Sequence, residues 1–156
     1  MQMKKYLLDT FSYNDITNKK LLHKIQQLPD KTECIRLFSH LINCQYKWMA
    51  RIQHNPAAPQ MNWWEPVYQL DDLETEWDQS LGIWLDYLKE KSDTELTTEV
   101  IFTGFDGSQW AATPQDIALQ LNYHSIHHRA QMQTIIRQQG IEPDFVDYIG
   151  TKYRKL

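Results

Sequence analysis

At 156 residues, with 42% hydrophobic and 23% charged content, the chain has the composition of an ordinary globular domain. That length buries roughly 70% of the unfolded surface, so a core forms without staples, and a single domain over 1–156 is expected. The net charge of −4, with Lys and Arg scattered, excludes a basic nucleic-acid footprint, and no apolar run has signal-peptide or membrane-span length. A cytoplasmic protein with neither nucleic-acid nor membrane partners is the expectation.

Helical signals dominate the chain. The first helix is predicted from about Lys4 to Leu28, stopping at Pro29. Asp30, with Glu33 three residues on, reads as the cap of a second helix reaching about His54. Cys34 and Cys44 lie ten residues apart on it. At helical rise their Cα atoms are about 15 Å apart, too far for a disulfide. A loop, "NPAAPQMNWWEPVYQ", follows, and its Trp63 and Trp64 read as pinning it, with covering a pocket or a dimer interface as alternatives. Asp71 and Glu74 then predict a third helix to about Ser92. "ELTTEVIFTGFDGSQWAA" reads as a short β-hairpin turning at Asp106-Gly107. Thr113, Pro114 and Asp116 cap a fourth helix that ends at Gly140. The fold class expected is all-α: a four-helix bundle with a short β-hairpin between helices three and four, whose long connection allows a crossover.

Inward positions in a bundle recur at alternating spacings of three and four. On the fourth helix one such line is Ile117, Leu121, His124, His128, Gln131 and Ile135. His127 lies about 100° from His128 around the axis and is expected to flank the site or face solvent. The second helix aligns Leu37, His40, Cys44 and Trp48, and the first aligns Leu7, Phe11, Asn14, Asn18, Leu21 and Ile25. The third offers Leu73, Trp77, Leu81, Trp84 and Leu88, a plain core line. Polar inward positions therefore gather at one level. Asp15 falls off its line and is expected in solvent, and His23 and His54 match no pattern.

A lone inward histidine is usually a hydrogen-bonded core residue, but a His-x3-His pair places two imidazoles on one helical face within reach of one ion. His40, His124 and His128 together suit Zn²⁺, Ni²⁺, Co²⁺ or Fe²⁺, zinc or nickel foremost, and three ligands leave a position open for water or substrate. Ser125 follows His124 and no Glu lies between the pair, so the H-E-x-x-H peptidase motif is absent. Deaminase Cys-x-x-Cys and di-iron Glu-x-x-His pairs are absent as well. The amide oxygens of Asn14, Asn18 and Gln131 are candidate acceptors for the histidines' other N–H groups.

The stretch "HSIHHRAQMQTIIRQQG" resembles the histidine helix of the DinB/YfiT-like metalloenzyme family, which typically reads H-x-x-x-H-R-G-Q followed by an apolar run and R-Q-x-G. "FSYNDITNKKLL", "LFSHLINCQYKWMARI" and "FTGFDGSQWAATPQDIALQ" resemble its first helix, second helix and strand pair. One departure is Ala130, where the family usually has glycine. The resemblance implies a metal triad on His40, His124 and His128, a bundle with a crossover, and a homodimer. It also implies kinship with S-transferases that use a low-molecular-weight thiol cosubstrate. Two classes stand: a metal-dependent transferase or hydrolase acting on a small-molecule electrophile, and a non-catalytic metal-binding or stress-response protein whose site is closed by a further ligand such as Cys44. A structural bundle whose histidines merely hydrogen-bond is the third and weakest.

Overall fold

A computed structural model describes residues 3–156. It is mostly helical: α1 (Met3–Ile25), α2 (Thr32–Ile52), α3 (Leu73–Glu90), a short α4 (Asp93–Thr97) and α5 (Pro114–Gln138), with an antiparallel pair β1 (Val100–Thr103) and β2 (Gln109–Ala112). α1 packs on α3 and α5, and α2 packs on the same two helices, while β1 lies against α2.

The predicted lines on α1 and α3 are buried, and that on α2 is buried except for the half-buried Trp48. Leu7, Phe11, Asn14, Asn18, Leu21 and Ile25 of α1 face inward, as do Leu73, Trp77, Leu81, Trp84 and Leu88 of α3. α2 is buried around nearly its whole circumference, Lys47 included. Trp84 stacks on Phe11 at 5.9 Å, and Trp77 meets Phe38 edge-on at 5.5 Å. Each such ring buried contributes about 1.5–3 kcal/mol of transfer free energy. Their indole N–H groups are not stranded: Trp84 donates to the Gln45 carbonyl at 3.0 Å and Trp77 to Asp15 Oδ1 at 3.1 Å. Asp15, expected in solvent, is thus a half-buried acceptor that also pairs with Lys19.

Helix ends depart from the predictions in physically legible ways. α1 stops at Ile25, and the chain tightens through Gln27 N–H to Lys24 O and Leu28 N–H to Ile25 O. Pro29 disfavours a helical Leu28. No capping box opens α2, because Glu33 turns to Arg36 and takes its Nε and Nη2 at 2.8 and 2.7 Å. Asp30 Oδ1 instead receives Thr32 N–H at 3.0 Å. The third helix ends before Ser92, which caps α4 in a reciprocal box with Glu95. At α5 the prediction holds: Thr113 Oγ1 accepts Asp116 N–H, and Gly140 at φ 82° ends the helix. The hairpin turns through Gly107 at φ 83°, and Phe102 sets its face on α2, edge-on to Trp48 at 5.4 Å.

The inward stripe of α5 runs one position later than predicted, through Ala118, Asn122, Ser125, Arg129, Met132 and Ile136, with Ile117, Leu121 and His128 beside it. Gln131 is exposed and Ile135 half-buried. The histidines therefore stand at the edge of the core rather than at its centre.

Candidate metal centre

α2 and α5 pack side by side, and this contact brings together residues more than eighty positions apart. His40 projects from the middle of α2, and His124 and His128 project one turn apart from α5. His124 Nε2 lies 3.2 Å from His40 Nε2 and 2.8 Å from His128 Nε2. Nitrogens sharing a tetrahedral ion at about 2.0–2.1 Å stand about 3.3 Å apart, so this spacing is close to that of a ligand set.

The outer ring nitrogens fix the tautomers of two of the three. His40 Nδ1 is 2.7 Å from the Trp63 carbonyl, which can only accept, so Nδ1 carries the proton and Nε2 a bare lone pair. His128 Nδ1 is likewise 2.6 Å from Gln131 Oε1. Two lone pairs thus converge on His124 Nε2, which can donate one proton to one of them. The remaining lone pair has no donor. A cation resolves that deficit, and this is the observation by which the donor set fits a metal ion.

Electrostatics keep the three rings neutral. Burial, with the neighbouring histidines adding to it, pushes His124 down to about 4. Burial also holds His40 and His128 below the ordinary histidine range. Metal binding requires neutral imidazole, so the site is ready for a cation near neutral pH.

Cys44 adds a sulfur. One donor atom each from His40, Cys44 and His124 lie within 4.8 Å of one another, a second grouping able to hold an ion. The Cys44 sulfur stands 3.7 Å from both nitrogens of the His40 ring, so it is aligned with neither the Nε2 lone pair nor the Nδ1 proton. Burial pushes its thiol up to about 12, which makes it a poor thiolate until a cation is present. The histidine nitrogens have the better directed geometry.

The loop after α2 completes the site. Trp64 lies flat on His40, with ring centres 3.7 Å apart and planes 8° apart, and the Arg36 guanidinium covers the Trp64 ring at 4.3 Å. Trp63, besides offering its carbonyl, packs on Trp48 at 5.7 Å. The tryptophan pair therefore pins the loop, and Trp64 covers His40. A cleft of about 540 Å³, lined by Arg36, Trp64, His128, Gln131 and Thr134 among others, opens beside His128. His127 is exposed.

The sequence model of the DinB family matches residues 1–155. The chain belongs to the DinB family. No curated protein matches it significantly. Among the described residues of this DinB protein, no helix is long and apolar enough to cross a membrane.

Of the three amides expected beside the histidines, Gln131 is there and the other two are elsewhere. Asn14 and Asn18 turn their oxygens to Arg129 Nη1 at 3.3 and 2.8 Å. Arg129, 2% exposed, also donates to Thr17 Oγ1 at 2.7 Å and to the Tyr13 hydroxyl at 3.0 Å. Asn14 Nδ2 donates to Asn122 Oδ1, and Asn18 Nδ2 to Ser125 Oγ at 2.9 Å. A buried guanidinium needs several acceptors, and the inward polar row of α1 supplies them. Sequence reasoning missed Arg129 itself. The one signal in the sequence is the pair of inward amides Asn14 and Asn18, whose oxygens are taken by Arg129 rather than by the histidines.

Proposed function

We propose that this DinB protein binds a divalent metal on the Nε2 atoms of His40, His124 and His128, and uses the cleft beside His128 for thiol S-transfer to a small electrophile. The convergence of three Nε2 atoms with one proton too few carries the metal assignment. Imidazole donors at this spacing suit zinc or nickel first, then cobalt or iron. When bound, such an ion supplies a Lewis acid that lowers the pKa of a thiol or water beside it. The chain's own residues set the stage. The Trp63 carbonyl and Gln131 orient His40 and His128, Trp64 shields one face of His40, and the cleft admits the small-molecule substrate and a low-molecular-weight thiol cosubstrate.

The architecture proposed is one domain over 1–156, a four-helix bundle with a crossover. In its support, α1 and α2 each pack on α3 and α5, which sets the two consecutive helices across from one another. Two free buried cysteines fit a reducing, cytoplasmic compartment, and the family resemblance supports a homodimer.

The grouping of His40, Cys44 and His124 supports a second reading, a closed and non-catalytic metal-binding or stress-response protein. Cobalt substitution separates the two. Three imidazoles and an open position give a spectrum without thiolate charge transfer that responds to added azide or thiol. A thiolate charge-transfer band and no response to added ligand support the closed site. A panel of low-molecular-weight thiols with a chloro-nitroaromatic electrophile then tests transfer, and metal-loaded protein no faster than buffer in every pairing removes the S-transferase assignment.

A further inference from the structure

At the far end of α2, eleven residues beyond His40, stands an arginine, Arg51, with no hydrogen-bond or ionic partner among the described residues. The Arg51 guanidinium is enclosed by three aromatic rings, Trp48, Phe102 and Trp63, at 4.6, 4.7 and 4.9 Å. Those rings cover its faces and leave its in-plane N–H donors without a protein acceptor among the described residues. Its Nε is buried with no hydrogen-bond partner, burial lowers its pKa, and the nearby charge is another cation, Lys47, whose own pKa Arg51 helps to lower. A half-buried guanidinium whose buried Nε–H has no acceptor is unusual, since buried donors are almost always satisfied.

His54 supplies an independent observation at the same place. It sits at φ 54°, just past the end of α2. His54 N–H bonds to Arg51 O at 3.1 Å, and Asn55 N–H reaches back to Ala50 O at 2.9 Å. This is the helix-ending arrangement in which glycine is the usual residue, because a side chain strains the left-handed backbone. A histidine at this strained position places an imidazole beside the Arg51 end of α2.

Both residues line one open cleft of about 350 Å³, whose other walls include Asn55, Phe102, Thr103 and Gln109. Its lining offers a guanidinium, an imidazole, two carboxamides and a hydroxyl, and no carboxylate. Asn55 Oδ1 already accepts Ala57 N–H at 2.9 Å, and Thr103 Oγ1 accepts from Gln109 at 2.9 Å. The Asn55 amide hydrogens and the Thr103 hydroxyl hydrogen are therefore left as donors. Positive charge and donors without a compensating acid define an oxyanion site. We propose that this cleft, between the end of α2, the turn after it and the β1–β2 hairpin, binds a small molecule through a carboxylate or phosphate group held by Arg51 and His54.

The test titrates inorganic phosphate and, separately, acetate into the full chain against sodium chloride at matched ionic strength. Binding is followed by amide and guanidinium NMR shifts and by calorimetry. Saturable shifts are expected at Arg51 Nε–H, His54, Asn55, Thr103 and Gln109, and the stronger of the two anions names the group recognised. Arg51→Met should weaken binding by about tenfold or more, as loss of a charge-assisted fork does. His54→Gly should raise the melting temperature, by relieving the backbone, and at the same time weaken binding. Shifts no larger than those with chloride, shifts centred on His124 and His128, or full affinity in Arg51→Met overturn the proposal. If Arg51→Met does not fold, the wild-type map and His54→Gly decide, and a stabilised His54→Gly with unchanged affinity overturns the assignment.

Discussion

Replacing Arg129 by methionine should destabilise the fold far more than the loss of an arginine usually does. The side chain is 2% exposed and donates to Tyr13, Asn14, Thr17 and Asn18. Methionine keeps most of the aliphatic stem but leaves the oxygens of Asn14, Thr17 and Asn18 buried without this donor. Hydrogen bonds from a charged donor are each worth about 1.5–3 kcal/mol, and an orphaned buried acceptor costs about 1–3 kcal/mol. These do not add, because removing the guanidinium also removes the several kcal/mol its own burial costs. Tyr13 keeps its bond to the Val146 carbonyl at 2.7 Å. A net loss of about 3–4 kcal/mol remains, read from urea unfolding at pH 7 with an unchanged slope. Arg129→Lys should recover little of it, since an ammonium cannot reach acceptors on both edges of a planar fork. A loss below about 1 kcal/mol in Arg129→Met would refute the claim that this network anchors α1 to α5.

Other outcomes follow from the same structure. Because His124 is held at about 4 in the fold against 6.5 ordinarily, the unfolded chain takes up its proton first as pH falls. The metal-free protein should be fully stable above pH 6.5 and lose about 3 kcal/mol as pH drops towards 4; flat stability across that window in denaturant melts counts against the buried neutral cluster. Burial pushes Cys34 up to about 11 and Cys44 up to about 12, so neither should react with a thiol reagent at pH 8 until denaturant is added. Rapid native labelling of Cys44 would show the site to be more open than described. Trp64→Ala removes the ring stacked on His40 and should speed stripping of the metal by a chelator about two- to tenfold, the worth of one aromatic stack; an unchanged rate means that Trp64 does not shield the site.

Much of this was legible in the sequence. The apolar lines of α1 and α3 obeyed helical spacing because each helix buries one face against the same neighbours. The spacing of His124 and His128 likewise placed both imidazoles on one side of α5. Arg129 was not legible, because an arginine in a helix is ordinarily read as surface and the inward stripe was placed one position early. The loop carrying Trp63 and Trp64 has no periodicity, and its path is set by tertiary contacts with α2. α4 was missed although Ser92 and Glu95 spelled its capping box. At α2 the opposite occurred: a box was written at Asp30 and Glu33, and Arg36 captured the glutamate first.

The most direct measurement is the metal content of untagged protein, compared among wild type, His128→Ala and Cys44→Ser. Three histidine ligands predict about one ion per chain in wild type and in Cys44→Ser, and its loss in His128→Ala. Absence of metal from the wild type, or loss in Cys44→Ser with retention in His128→Ala, would contradict the histidine triad.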